Sequence, residues 1–248
     1  SPRRLTHSDN YAVSTQIFDR NGKLLYEIFA DENRIPIEIG TLPEYVYQAS
    51  IAIEDKNFYS HFGFDIFGII RAVKTNLSGG RLEGGSTITQ QLVKNGLLTN
   101  ERSFKRKIKE AVLSVFTEIL YSKEEILEMY LNYISYGGTS VGVEAASNRY
   151  FDKHASELSL AEAALLAGLP QAPSRYSPFG SNPKEAKDRQ LEVLRRMRED
   201  GYITEEEEQK AGEEVLSFAI SQTDINAPHF VFYVRDFLYQ EYGEEMVE

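Results

Sequence analysis

The chain has 248 residues, 42% of them hydrophobic and 26% charged, with a formal net charge of −11. That balance describes an ordered globular protein with one large core or two lobes and excludes a disordered chain. The negative charge argues against a nucleic-acid partner, and the lack of cysteine removes disulfides, thiolate nucleophiles and sulfur metal sites.

The chain opens Ser1-Pro2-Arg3-Arg4 with neither an initiator methionine nor a signal-like apolar core, and no run of about 18 apolar residues occurs, which fits a piece whose anchor lies elsewhere. Asn21-Gly22 between Ile17-Phe18 and Leu24-Leu25 predicts a hairpin. Pro43 suits the first turn of a helix on which Val46, Ala49 and Ile53 recur at helical spacing. Tyr47, Ser50, Ile51, Glu54 and Phe58 then share one stripe, so Glu54 is flanked by apolar or aromatic side chains. Desolvation there raises a carboxyl pKa toward the range where a general base works at neutral pH. Asp55 points about 100° away and cannot share that role by adjacency. A Glu-Asp pair that simply ends a helix on nearby amides is the plainer alternative.

Phe64, Ile66, Phe67, Ile69, Ile70, Val73 and Leu77, interrupted by Arg71 and Lys74, fit equally a helix lying in a bilayer surface and a buried core helix. Gly84-Gly85 leads into a helix capped by Ser86 and stopped at Gly96, with Thr87, Gln91 and Lys94 on one face and Ile88 and Leu92 toward the core. Gln90 and Gln91 suit sugar hydroxyls and amides, and equally suit an exposed helix with no ligand. From Lys94 to Lys109 the bases Lys94, Arg102, Lys105, Arg106, Lys107 and Lys109 face one acid, Glu101. That concentration fits a dense anion such as a diphosphate, or a solvated helix face.

Along 103–119, Phe104, Ile108, Ala111, Val112, Val115 and Ile119 predict the core face, with Arg106, Lys107, Glu110, Ser114 and Thr117 opposite. Pairs from Arg106 and Lys107 to Glu110 are either ordinary surface pairs or a cradle for a leaving group whose charge grows in the transition state. Ser122 with Glu125, Ser159 with Glu162 and Thr204 with Glu207 match reciprocal capping boxes. Ser181-Asn182-Pro183-Lys184 reads as a helix cap, and Ala227 to Val234 as a strand able to pair with the hairpin. The four histidines lack metal-ligand spacing, and His61 reads as a structural hydrogen-bonder near Glu54.

Together these residues resemble the peptidoglycan glycosyltransferase family, the chain-polymerising domain of class A penicillin-binding proteins. The resemblance rests on Glu54-Asp55 with Phe58, His61 and Gly63; Gly85-Ser86-Thr87 with Gln90 and Gln91; Arg106-Lys107 with Glu110; and Lys123, Ile126-Leu127 and Tyr130-Leu131-Asn132. It continues through Glu144-Ala145-Ala146, Tyr150-Phe151 and Leu160-Ala161-Glu162-Ala163 to Pro170, and departs around Ser140 to Val143, where many members carry a tyrosine beside the glycine. It implies a mainly α, lysozyme-like, two-lobed fold with a small N-/C-terminal β element. The implied limits are a tail at 1–14 after a membrane anchor, the glycosyltransferase domain at 15–235, and at 236–248 the start of a linker to a transpeptidase domain.

The implied reaction is polymerisation of lipid II onto a growing glycan strand at the extracytoplasmic face of the bacterial cytoplasmic membrane. Glu54 would be the base, Lys107 and Glu110 the further catalytic groups, and Lys94, Arg102, Arg106 and Lys107 the holders of the diphosphate. Asp55, Ser86, Thr87, Gln90, Gln91 and Asn95 would serve substrate binding, and Phe64, Phe67 and Ile70 would touch the membrane. No cofactor is required, a divalent cation (Mg2+) at the diphosphate is allowed, no protein metal site or nucleic acid is expected, and moenomycin would occupy the donor side. A lysozyme-like cleaving enzyme would need no diphosphate cradle, and a non-catalytic binding module would have no use for Glu54.

Overall fold

The computed structural model describes residues 15–18, 20, 24–28, 33–65, 85–97, 104–138, 140–180, 182–219, 233–234 and 237–241. The chain divides into two compact units, 1–32 with 221–248, and 33–220. In the first, β1 (Thr15–Phe18) pairs antiparallel with β2 (Leu24–Ile28), with an irregularity after Ile17, as the hairpin signal predicts. Of the strand predicted at 227–234, the described end, Tyr233-Val234, is helical.

The second unit is mainly helical. Its one described sheet is a two-residue parallel pairing of β3 (Asn33–Arg34) with β4 (Ser140–Val141). The helix α1 (Glu44–Glu54) starts one residue after Pro43 and buries residues around most of its circumference. Val46 and Ile51 enter a core with Phe58, Ile88, Ile126, Leu127 and Tyr130. Ala49, Ala52 and Ile53 enter a second core with α6 (Leu160–Gly168) and α8 (Pro183–Glu199). Alanines 161, 164 and 167 of α6 let the three backbones approach closely, so α1 is a spine between two cores and Glu54 is its last residue.

Against the first core lie α2 (Ile88–Leu97), α3 (Phe104–Leu120) and α4 (Lys123–Tyr133), followed by α5 (Val143–Phe151). A short α7 (Pro173–Tyr176) precedes α8, and α9 (Glu205–Glu213) follows it. The three predicted capping boxes, at Ser122, Ser159 and Thr204, are all formed. The start of α2 differs from expectation: Thr87, not Ser86, closes the cap, its hydroxyl accepting from the Gln90 amide while Gln90 Oε1 accepts from the Thr87 amide. Gly96 does not stop the helix, which continues to Leu97. At α8 the cap position is Asn182. Phe58 lies in a separate 3-10 turn, so the predicted stripe through Glu54 ends with α1.

The largest departure is α3. Its predicted core residues Ile108, Val112 and Ile119 are 51%, 49% and 61% exposed, while Glu110, Ser114 and Glu118 are buried. The inversion is stable because each buried polar group has a partner. Glu110 takes Arg106 and Lys107, Ser114 donates to the Glu110 carbonyl, and Glu118 accepts from Thr89 and Lys123.

Gly63 fixes how the loop after α1 meets α3. Its φ is +86°, and a Cβ there would stand 2.9 Å from the Ser114 backbone. Its carbonyl accepts from the Thr87 hydroxyl at 2.7 Å. Gly63→Ala therefore forces both a disfavoured backbone conformation and a backbone clash, and is expected to lower stability by about 2 kcal/mol or more. Urea unfolding of the two proteins measures it.

Candidate active site

The site is built where α1 ends. Asp55, the residue after it, is buried, and its Oδ2 accepts from the Ile88 amide at 3.0 Å, capping the first turn of α2. His61 Nε2 lies 2.8 Å from Asp55 Oδ1, the structural place expected of that histidine. Asp55, Thr87 and Gln90, predicted to bind substrate, are instead engaged inside the protein, because α2 begins in a buried loop whose amides must be satisfied locally. Lys123 completes this floor. It donates to the His61 carbonyl and to Glu118, and stands 4.5 Å from the centroid of the Phe58 ring.

That joint sets Gln91 on the first turn of α2 facing Glu54, and Gln91 Nε2 donates to Glu54 Oε2 at 2.7 Å. Glu54 Oε1 is buried with no hydrogen-bond partner. Burial pushes the Glu54 carboxyl above its ordinary range, opposed by the Gln91 hydrogen bond and by Arg189 and Arg196. Tyr130 and Tyr136 are buried near enough to feel the Glu54 charge. Both phenols are raised, first by burial and then by the Glu54 charge, so both stay neutral.

Just before α2, Lys107 Nζ donates to Ser86 Oγ at 3.1 Å and also contacts Glu110, which accepts from Arg106 Nη1 at 3.0 Å. Glu110 is 1% exposed, and so is an internal anchor that orients two cations rather than a group open to ligand. Lys107, held by these two contacts, is half-exposed. Lys94 and Asn95 are exposed on the later turns of α2. Phe64 is partly exposed, whereas Arg102, Phe67 and Ile70 lie outside the described residues.

The sequence reading missed Arg189 and Arg196. They stand seven apart on one face of α8 and point at the end of α1, where Arg196 Nη1 donates to the Ile53 carbonyl at 3.3 Å. Two arginines at that spacing around Glu192 were the available signal, but a surface ion-pair ladder looks the same in one dimension. Arg189 and Arg196 also line a groove of about 280 Å³ with Gln171, Tyr176 and Asp188. Among the described residues no cluster of three or more acids or histidines could hold a metal ion.

The sequence that builds this site matches a known protein family. The family model described as Transglycosylase covers residues 21–198. The chain belongs to the transglycosylase family. Peptidoglycan glycosyl transfer is the activity that this membership carries. Penicillin-binding protein 1A of Aquifex aeolicus is 44% identical over 232 residues, 93% of this transglycosylase chain and 32% of its own. That of Rickettsia bellii is 45% identical over 228 residues, 90% of this chain and 29% of its own. A crystal structure of penicillin-binding protein 1A from Haemophilus influenzae matches 96% of this chain and 25% of its own, at 27% identity and a TM-score of 0.47. The chain spans about a third of the length of the curated relatives it matches.

Asp55→Ala leaves the Ile88 amide and His61 without their acceptor in a buried place, so stability is expected to fall by about 1–3 kcal/mol. Turnover should fall with it, because Gln91 loses its fixed approach to Glu54. Urea titration and a polymerisation assay on the same preparation read both effects.

Proposed function

We propose that this chain polymerises lipid II, the undecaprenyl-diphosphate disaccharide-pentapeptide, with the growing glycan strand as donor. The observation that carries this reading is the single short helix linking base to cations: Gln91 of α2 binds Glu54, and Ser86, just before α2, binds Lys107. The start of α2 thus lies between a proton acceptor and a pair of cations. A glycan-cleaving enzyme has no use for the second.

Glu54 Oε1 takes the proton of the acceptor's 4-hydroxyl. The oxygen forms a bond to the donor's anomeric carbon from the face opposite the breaking bond to diphosphate, giving a β-1,4 linkage with inversion. The electron pair of the broken bond leaves on undecaprenyl diphosphate. Lys107 and Arg106, held by Glu110, with Lys94 and Arg102 beside them in sequence, stabilise the charge that grows on that group. Ser86, Gln91 and Asn95 contact the sugar or phosphate. No cofactor is required in this scheme. The described residues offer no acidic cluster for a metal, so an Mg2+ ion at the diphosphate would be held chiefly by phosphate oxygens. Moenomycin, which mimics a lipid-phosphate donor, would compete for the cationic end.

A lipid-linked substrate must be met at a bilayer, here the extracytoplasmic face of the cytoplasmic membrane. Among the described residues no helix is long and apolar enough to cross one. The outward stripe of Ile108, Val112, Phe116, Ile119 and Leu120 on α3 supports contact with the membrane surface, as do exposed Phe62 and Phe64, which flank the Gly63 seated on that helix. Replacing Phe116 and Ile119 together by glutamate is expected to abolish co-sedimentation with anionic vesicles while leaving the far-ultraviolet spectrum unchanged. Undiminished sedimentation would remove α3 from the membrane contact.

Glu54→Gln is expected to lower polymerisation of labelled lipid II by about 10²–10⁴-fold while moenomycin still binds. Near-normal turnover, or release of soluble muropeptides from purified wall in place of polymer, refutes the scheme. The raised carboxyl also sets two pH trends of opposite sign. Activity rises with pH through the folded value of Glu54, above the ordinary carboxylate range, because the base must be ionised. Stability moves the other way. The folded state holds its proton more tightly than the unfolded chain, so this contribution is complete below the unfolded pKa and is lost as pH climbs through the folded one. Glu54→Gln should therefore unfold at a higher urea concentration than the parent at pH 7.

A further inference from the structure

The two carboxylate oxygens of Glu54 are in different situations. Oε2 accepts from Gln91, whereas Oε1 is buried and takes no hydrogen bond. Facing Oε1 is the guanidinium of Arg189, with Nη2 at 3.8 Å. That is ion-pair range and beyond a hydrogen bond. A cation at this separation stabilises the anion through a desolvated space without occupying the lone pair that a proton must reach.

The surroundings of Arg189 explain how a flexible side chain is kept at that distance. Its guanidinium lies 5.3 Å from the Tyr176 ring centroid, and its Nε is directed at the Gly168 carbonyl, 3.4 Å away. Its stem crosses α6 at Gly168, where a Cβ would stand 2.8 Å from Arg189 Cγ. The glycine thus makes the passage through which Arg189 reaches the base. The side chain is 12% exposed, so few other positions are open to it.

We propose that Arg189, threaded past Gly168 and stacked on Tyr176, is a positioning residue that serves as the fixed counter-charge of Glu54 while leaving Oε1 open to proton transfer. The inference rests on the reading of Glu54 as the base. Other charged and titratable groups face the pair. Asp55 adjoins Glu54 in the chain and opposes its ionisation, and Arg196 of α8 favours it. Arg196 is otherwise committed, its Nε donating to Glu192 Oε1 at 2.9 Å and its Nη1 to the Ile53 carbonyl. Tyr130 of α4 and Tyr136 beyond it face Glu54 as neutral phenols, and Gln91 of α2 is uncharged. Glu192 and Tyr176 face Arg189 itself, and α6 presents the Gly168 carbonyl.

The test is the pH dependence of kcat/KM for lipid II polymerisation in the parent and in Arg189→Gln, Arg189→Lys, Gly168→Ala and Glu54→Gln. Losing the counter-charge should move the acid limb of Arg189→Gln upward by about one pH unit, with activity recovering toward the parent at alkaline pH. Arg189→Lys should hold the limb near its parental place. Gly168→Ala, which displaces Arg189 without removing charge, should move it in the same direction as Arg189→Gln. A rate lowered equally at every pH in Arg189→Gln, with the limb unmoved, makes the arginine structural and overturns the proposal. If Arg189→Gln does not fold, an unmoved limb in Gly168→Ala overturns it alone. Full activity in Glu54→Gln would sink the base assignment, an outcome distinct from any result with the arginine variants.

Discussion

The carboxylate of Asp55 is the joint on which the site depends. One oxygen caps the amide at the start of α2 while both lie within hydrogen-bond distance of His61 Nε2, so the end of one helix and the beginning of another are tied by a single buried side chain. Everything downstream inherits that tie. Gln91 faces Glu54 because the first turn of α2 is fixed, and Ser86 meets Lys107 because the loop before it is fixed. Asp55 is thus the frame that holds the end of α1, and with it Glu54, against the start of α2. Its carboxylate is also well placed by electrostatics, since a helix N-terminus favours negative charge.

Glu54 itself occupies a compromise. As the last residue of a helix between two cores, it is placed by the burial of Val46, Ile51, Ala49, Ala52 and Ile53, each of which favours desolvating the helix end. Desolvation alone would neutralise a carboxyl. One hydrogen bond from Gln91 and two arginines on α8 offset part of that effect. The result is a carboxyl held above its ordinary range by burial and drawn back toward ionisation by these three partners.

The helix α3 shows the same exchange at larger scale. Its hydrophobic period is sound and its secondary structure was legible, yet the side it buries was not. Periodicity identifies two faces but does not say which turns inward when both an apolar set and a mutually satisfied polar set are available. Here Glu110, Ser114 and Glu118 find their partners on the inner side, and the two partners of Glu118, Thr89 and Lys123, stand at separations that no local helix rule pairs. The apolar face is left outward, next to the basic end of the site.

Composition, helix periods and three capping boxes follow from local chemistry, so the sequence by itself determined a mainly helical protein, the positions of most helix starts, and the short list from which the base and cations come. Motif order carried the family. Only the tertiary structure decided that Asp55, Thr87 and Gln90 are scaffolding, that α3 shows its apolar face to the outside, and that Arg189 stands opposite Glu54 from 135 positions further along the chain. The physical reason is range. Caps and periods act within a turn or two of helix, whereas the pairing of buried charge is settled by which distant backbones pack closely enough to share a desolvated space.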